Sequence, residues 1–110
     1  MPTTNYKVLG QINPSATTLT TLYTVPSATQ AVISTIVITN LTGTAASFRI
    51  AVRPAAEAIA NKHYLAYDVT VGAADSTALT LGITMGATDV LSVYGSTANL
   101  AFQAYGSETA

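Results

Sequence analysis

The hydrophobic positions of this chain fall in short segments, and within most of them apolar and polar residues alternate. The clearest case begins with residues 31–39 (AVISTIVIT), a β-branched run with few polar atoms, closed by Asn40 and the turn Thr42-Gly43-Thr44. Residues 48–53 follow, with Phe48, Ile50 and Val52 alternating with Ser47, Arg49, Ala51 and Arg53. A solid apolar run beside a period-two alternation is the signature of a buried strand next to a half-exposed one. The pattern therefore predicts that these two strands form the central hairpin of an antiparallel β-sandwich.

The rest of the chain repeats the theme. Residues 5–11 predict a first strand at a sheet edge, since Lys7 is the kind of charge that blunts an edge. Asn13-Pro14-Ser15 makes a turn. Residues 19–25 predict a strand with Leu22 and Thr24 on one face and Tyr23 and Val25 on the other; Pro26 ends it because proline cannot donate to a ladder. Residues 54–62 hold Ala and Glu but one bulky apolar residue, Ile59, which predicts a long loop with at most one helical turn. Further strands are expected at residues 63–71, 77–81, 90–94 and 100–105. Residues 82–89 read as a glycine-punctuated loop, and residues 95–99 as a tight hairpin. About eight short strands, with turn signals roughly every ten residues, predict an all-β single domain over residues 1–110, an antiparallel β-sandwich or jelly-roll-like fold. The expected inward set is Leu22, Val32, Ile36, Ile38, Phe48, Ile50, Val52, Leu65, Leu79, Leu81, Val90, Leu100 and Phe102.

Composition narrows the function. Only 8% of the 110 residues are charged, against about a quarter in an ordinary soluble domain, so solubility rests on Thr, Ser and Asn. A surface this poor in charge repels neighbours weakly and suits a protein that lives packed against others. Four Lys and Arg in all and a net charge of −1 leave no basic patch for nucleic acid. The absence of cysteine removes disulfides, thiolate nucleophiles and zinc-thiolate sites. The longest apolar run is about half of what a bilayer span needs. The start, Met1-Pro-Thr-Thr-Asn5, has neither a basic end nor a following apolar segment, so the expectation is a protein made and assembled in a cytoplasm.

Candidate chemistry is sparse. His63 is the one histidine, and Asp68 lies five residues on, an odd spacing that puts the two on opposite faces of a strand. His63 is therefore read as a polar residue at a strand start rather than a catalytic base. Asp68, Asp75 and Asp89 sit at turns, where Asp bonds its own backbone, and with His63 they are not read as a metal site. Glu57 has no partner carboxylate at a fixed spacing for glycosidase chemistry. Residues 82–86 lack the Lys and Ser/Thr of a phosphate loop, and the sequon at Asn40-Leu-Thr42 is read as chance. No enzyme, cofactor or metal is expected. Arg49 and Arg53 share a strand face; they either keep that face soluble, the preferred reading, or dock an acidic patch on a partner. Six tyrosines, Tyr64 and Tyr67 among them, fit strands and interfaces better than a sugar-binding face.

Beyond this residue-level reading, the frame Tyr6-Lys-Val-Leu-Gly-Gln11, Thr21-Leu-Tyr-Thr-Val-Pro26, residues 31–40 and residues 48–53 resembles small virion structural proteins of tailed bacteriophages, particularly those of cyanobacterial and marine phages. Residues 60–68, residues 79–89 and the closing Tyr105-Gly-Ser-Glu108 continue the resemblance, whose strongest words are LYTVP and NKHYLAYD. It implies a β-sandwich that decorates or cements a capsid and binds the major capsid protein or other virion proteins. It brings no catalytic residues. By analogy of fold, such tiles close as homo-oligomers, with a trimer natural at a local threefold axis. Arg49, Arg53, Tyr64 and Tyr67 are the candidate partner-interface residues. The alternative is a tail, neck or fibre-associated module that touches the host surface through Tyr64 and Tyr67.

Overall fold

Alternation along the sequence becomes nine strands in the computed structural model, which describes residues 3–110; Met1 and Pro2, the start of the segment read for a leader, lie outside the described residues. The strands are β1 (Thr4–Ile12), β2 (Thr20–Thr24), β3 (Gln30–Asn40), β4 (Ala46–Arg53), β5 (Tyr64–Val71), β6 (Ser76–Leu79), β7 (Ile83–Met85), β8 (Val90–Gly95) and β9 (Leu100–Thr109). Every expected strand is present. β9 runs four residues past the expected end, and β7 falls in the segment read as loop. The Ala-rich link between β4 and β5 carries two single 3₁₀ turns, Pro54–Ala56 and Asn61–His63. Among the described residues no helix is long and apolar enough to cross a membrane.

The strands form two antiparallel sheets with the orders β1-β9-β3-β6, β7 also pairing with β3, and β2-β8-β4-β5. Of the chain's strand-to-strand links only β4–β5 joins hydrogen-bonded neighbours; β6 follows β7 along the same side of β3, and every other link crosses between sheets. This is the double-Greek-key arrangement of a jelly roll. It corrects the expected central hairpin: β3 pairs with β9, β6 and β7, while β4 lies in the opposite sheet between β8 and β5. The tight hairpin expected over residues 95–99 is likewise a crossing, from β8 in one sheet to β9 in the other. A link of four or five residues is long enough to turn within a sheet or to arch over its edge, so alternation alone does not decide which.

Asn40 fixes the arch after β3. It is 2% exposed, and its side-chain nitrogen donates to the carbonyls of Thr44 at 2.8 Å, Gly72 at 3.2 Å and Val71 at 3.3 Å. Its Oδ1 accepts from the Thr42 amide at 3.0 Å and the Thr42 hydroxyl at 2.9 Å. One side chain thus ties the β3–β4 arch to the end of β5 and satisfies backbone groups of both. The amide that a sequon would offer to a glycan is fully engaged.

Three residues expected inside are exposed: Val32, Leu65 and Leu81, at 40%, 47% and 51%. Each is displaced by an irregularity that period-two counting cannot see. β3 bulges at Ser34 against β9, so the inward parity of Ile36 and Ile38 passes to Ile33 and Ala31 and turns Val32 outward. Leu65 is the extra residue where Ile50 opposes Ala66 but Ala51 opposes Tyr64. β6 and β7 form one interrupted edge beside β3: Ile36 opposes Leu79 and Ile33 opposes Ile83, one residue too many. Leu81 lies in that interruption, next to Gly82 at φ 63°. The other ten are buried or pack against the core. Phe48 and Phe102 meet across the sheets edge-to-face at 6.3 Å between centroids, with both side chains fully buried; each contributes roughly 1.5–3 kcal/mol by leaving water.

Candidate functional site

The outer face of the second sheet gathers three of the four residues singled out in the sequence. Arg49 on β4 stands opposite Tyr94 on β8. On its other side β5 bulges: Phe48 opposes Val69 and Ile50 opposes Ala66, so Tyr67 and Asp68 both face the single residue Arg49. Asp68 takes the left-handed conformation, φ 54°, and this turn sends its carboxylate to the guanidinium. Arg49 Nε donates to Asp68 Oδ1 at 2.6 Å and one terminal nitrogen reaches Oδ2 at 3.4 Å. The guanidinium carbon lies 4.1 Å from the Tyr67 ring centre and 4.2 Å from that of Tyr94, a cation held between two aromatic faces. The hydrogen bond to Asp68 holds Arg49 firmly in its charged form. Tyr64 meets Tyr67 edge-to-face, with centroids 4.9 Å apart. Asn61, Tyr64 and Tyr67 line a cleft of about 380 Å³.

Arg53 stays apart from this cluster. Its Nε donates to the Ser92 hydroxyl at 3.3 Å and a terminal nitrogen to the Glu57 carbonyl at 2.9 Å, so it pins the link between β4 and β5 onto the sheet. Both arginines share a face, as the alternation predicts, and both spend their guanidinium groups within the chain. Their charge is committed locally rather than displayed.

His63 is 5% exposed. Its Nδ1 accepts the Ala60 amide at 3.0 Å, which leaves the ring proton on Nε2, 3.1 Å from Glu57 Oε1. Both ring nitrogens are used to fold the link, and Asp68 is bound to Arg49 instead. Asp75 accepts from the Ser76 amide at 2.8 Å; Asp89 accepts from the amides of Gly86 at 2.8 Å and Ala55 at 2.9 Å. These carboxylates organise turns, and among the described residues no three His, Asp or Glu side chains converge.

Two features lay outside the sequence reading. Between the sheets the Tyr23 hydroxyl bonds Glu108 of β9, and Lys7 of β1 lies 2.9 Å from the same carboxylate. Burial, then the Glu108 bond, pushes the Tyr23 hydroxyl above the ordinary tyrosine range. The Tyr23 bond, then that to Lys7, holds Glu108 below the ordinary carboxylate range. Alternation places Tyr23 on the face opposite Leu22, but β2 bulges between Thr21 and Tyr23 and both are buried. The second feature is on the outer face of the first sheet. Tyr6, Val8, Val32, Tyr105 and Gly106 line a shallow groove of about 640 Å³. Tyr6 is 86% exposed. Lys7 is the one charged member of the groove, and Glu108 neutralises it.

No protein-family model matches the chain, and no curated protein matches it. Among solved structures, it is similar to a chain in the structure of the infectious bursal disease virus Gx strain, with a TM-score of 0.50 and 14% identity. The likeness covers 98% of this chain and 31% of the viral one. At that identity it is a likeness of fold.

Proposed function

We propose that this chain is a non-enzymatic structural protein of a tailed-bacteriophage virion, a capsid decoration or cement protein that binds across capsomer junctions and stabilises the head. Its partners are the major capsid protein or other virion proteins, and its own copies, closing as a trimer. The observation that carries this reading is the groove on the first sheet. An exposed tract with Tyr6, Val8 and Val32, and with its one charge already paired, costs little to desolvate and has the character of a docking surface. The jelly-roll likeness to a chain of a virus structure supports the same reading, as does a surface with little charge to oppose close packing. Many weak copies of such a contact across a particle add up to stable attachment.

The test is binding of the purified protein to heads that lack it, read by co-sedimentation. Val32→Glu places an unpaired charge in the groove on a side chain that is already 40% exposed. Attachment is expected to fall at least tenfold with thermal stability nearly unchanged. Undiminished attachment of a folded Val32→Glu protein would refute the groove as the docking surface. The alternative placement, on tail, neck or fibre, shares the fold and is separated from this one by locating the protein on particles.

A further inference from the structure

We propose that the cleft between Asn61, Tyr64 and Tyr67 is a binding subsite for a neutral sugar. The cleft lies on the second sheet, apart from the groove of the first. Its first element is an aromatic platform. Tyr67 is 55% exposed, yet it is held in place by the edge-to-face contact with Tyr64 and by Arg49 against its ring. A pyranose presents a C–H face that such a ring covers, and its hydroxyls remain free to bond around the rim. A ring already fixed loses little freedom when a ligand arrives.

The second element is polar and close by. The Asn61 side-chain amide supplies a donor and an acceptor at the wall of the cleft, matching the dual character of a sugar hydroxyl. Asp68, next in sequence to Tyr67, has Oδ1 committed to Arg49 at 2.6 Å, while Oδ2 is held only at 3.4 Å. Asp68 does not itself line the cleft; its carboxylate fixes the guanidinium that braces Tyr67.

The third element sets the charge class. Arg49 and Asp68 cancel each other, so the site favours neither an anionic sugar nor a cation. A volume of about 380 Å³ lies at the small end of ligand sites, roughly 300–1,000 Å³, and suits a mono- or disaccharide.

The experiment uses the full chain on an array of immobilised glucose-, galactose-, mannose- and N-acetylglucosamine-terminated oligosaccharides, with sialylated counterparts beside them. Retention is expected on at least one neutral group and no stronger on its sialylated form. Tyr67→Ala should weaken it at least tenfold, Tyr67→Phe should largely keep it, and Tyr6→Ala, on the other sheet, should leave it unchanged. If Tyr67→Ala fails to fold, Asn61→Ala in the exposed link gives the same reading with an expected loss of about fivefold or more. No retention on any neutral sugar, preference for the sialylated forms, or binding unaffected in folded Tyr67→Ala or Asn61→Ala protein each overturns the proposal. None of these outcomes bears on attachment to heads, which is read with Val32→Glu.

Discussion

Replacing Asn40 by alanine tests whether one buried side chain holds the arch between the sheets. The substitution deletes donors to three carbonyls, of Thr44, Gly72 and Val71, and an acceptor used twice by Thr42. A net hydrogen bond is worth about 0.5–1.5 kcal/mol, and a buried group left unpaired costs about 1–3 kcal/mol. Two side-chain hydrogens serve three carbonyls, so the donor contacts are shared and count as about two bonds. Water can reach the part-buried carbonyls of Thr44 and Gly72, which limits the penalty there. The total comes to about 3 kcal/mol. Unfolding entropy near 2.1 cal/mol/K per residue gives a chain of 110 residues about 0.23 kcal/mol/K, so Tm should fall by about 13 °C. Thr42→Ala removes only the hydroxyl end and should cost about 1 kcal/mol. The double variant should cost less than the sum, because both act on one network. Asn40→Asp should be at least as damaging as alanine, since it sets a carboxylate oxygen against three carbonyl oxygens in a buried site. Thermal unfolding followed by circular dichroism reads all four proteins. An Asn40→Ala midpoint within about 4 °C of the parent would refute the reasoning, because the arch would then be held by its backbone alone.

Glu108→Gln should flatten the acid side of the stability profile. The carboxylate's folded pKa is depressed, so its contribution is present above the unfolded value near 4.3 and is lost as pH falls through the folded value. At neutral pH the substitution should cost about 1 kcal/mol, because Gln still accepts from Tyr23 while the pair with half-exposed Lys7 is screened; urea midpoints at pH 3 and pH 7 check this. Gly106→Ala should cost at least about 3 kcal/mol, the upper range for overpacking, since its added carbon would sit 1.9 Å from the Val32 carbonyl oxygen, and that obstacle is backbone. A Gly106→Ala protein with an unchanged urea midpoint would mean that β9 and β3 can separate at the bulge.

Strand positions were legible because alternation is imposed by burial on one side of each sheet, and every segment that alternates is a strand. Pairing was not legible. Asn40 decides the arch after β3 through contacts with Val71 and Gly72, some thirty residues away, and nothing local to residues 31–53 announces them. The misplaced core residues share one cause: Val32, Leu65 and Leu81 each lie at or beyond a bulge, where counting by two loses phase. Short β7 escaped notice because its glycine-flanked triplet is too brief to show a period; it is a strand only because β3 offers it an edge. At the candidate site, Arg49, Tyr64 and Tyr67 were visible as strand residues suited to an outer face. Tyr94 could have been added by pairing β4 with β8, and Asp68 only by knowing that β5 bulges opposite Arg49. Arg53 shares the face of Arg49 but is drawn away by Glu57 and Ser92, which alternation does not predict.

Location on the particle tests the central claim most directly: gold-labelled antibody against this protein, imaged by electron microscopy on intact purified virions. Decoration predicts label spread over the head at many positions. Label confined to the tail or its tip would contradict the cement role and favour the tail or fibre alternative, and particles carrying no label and no copies of the chain by mass spectrometry would contradict a virion role altogether.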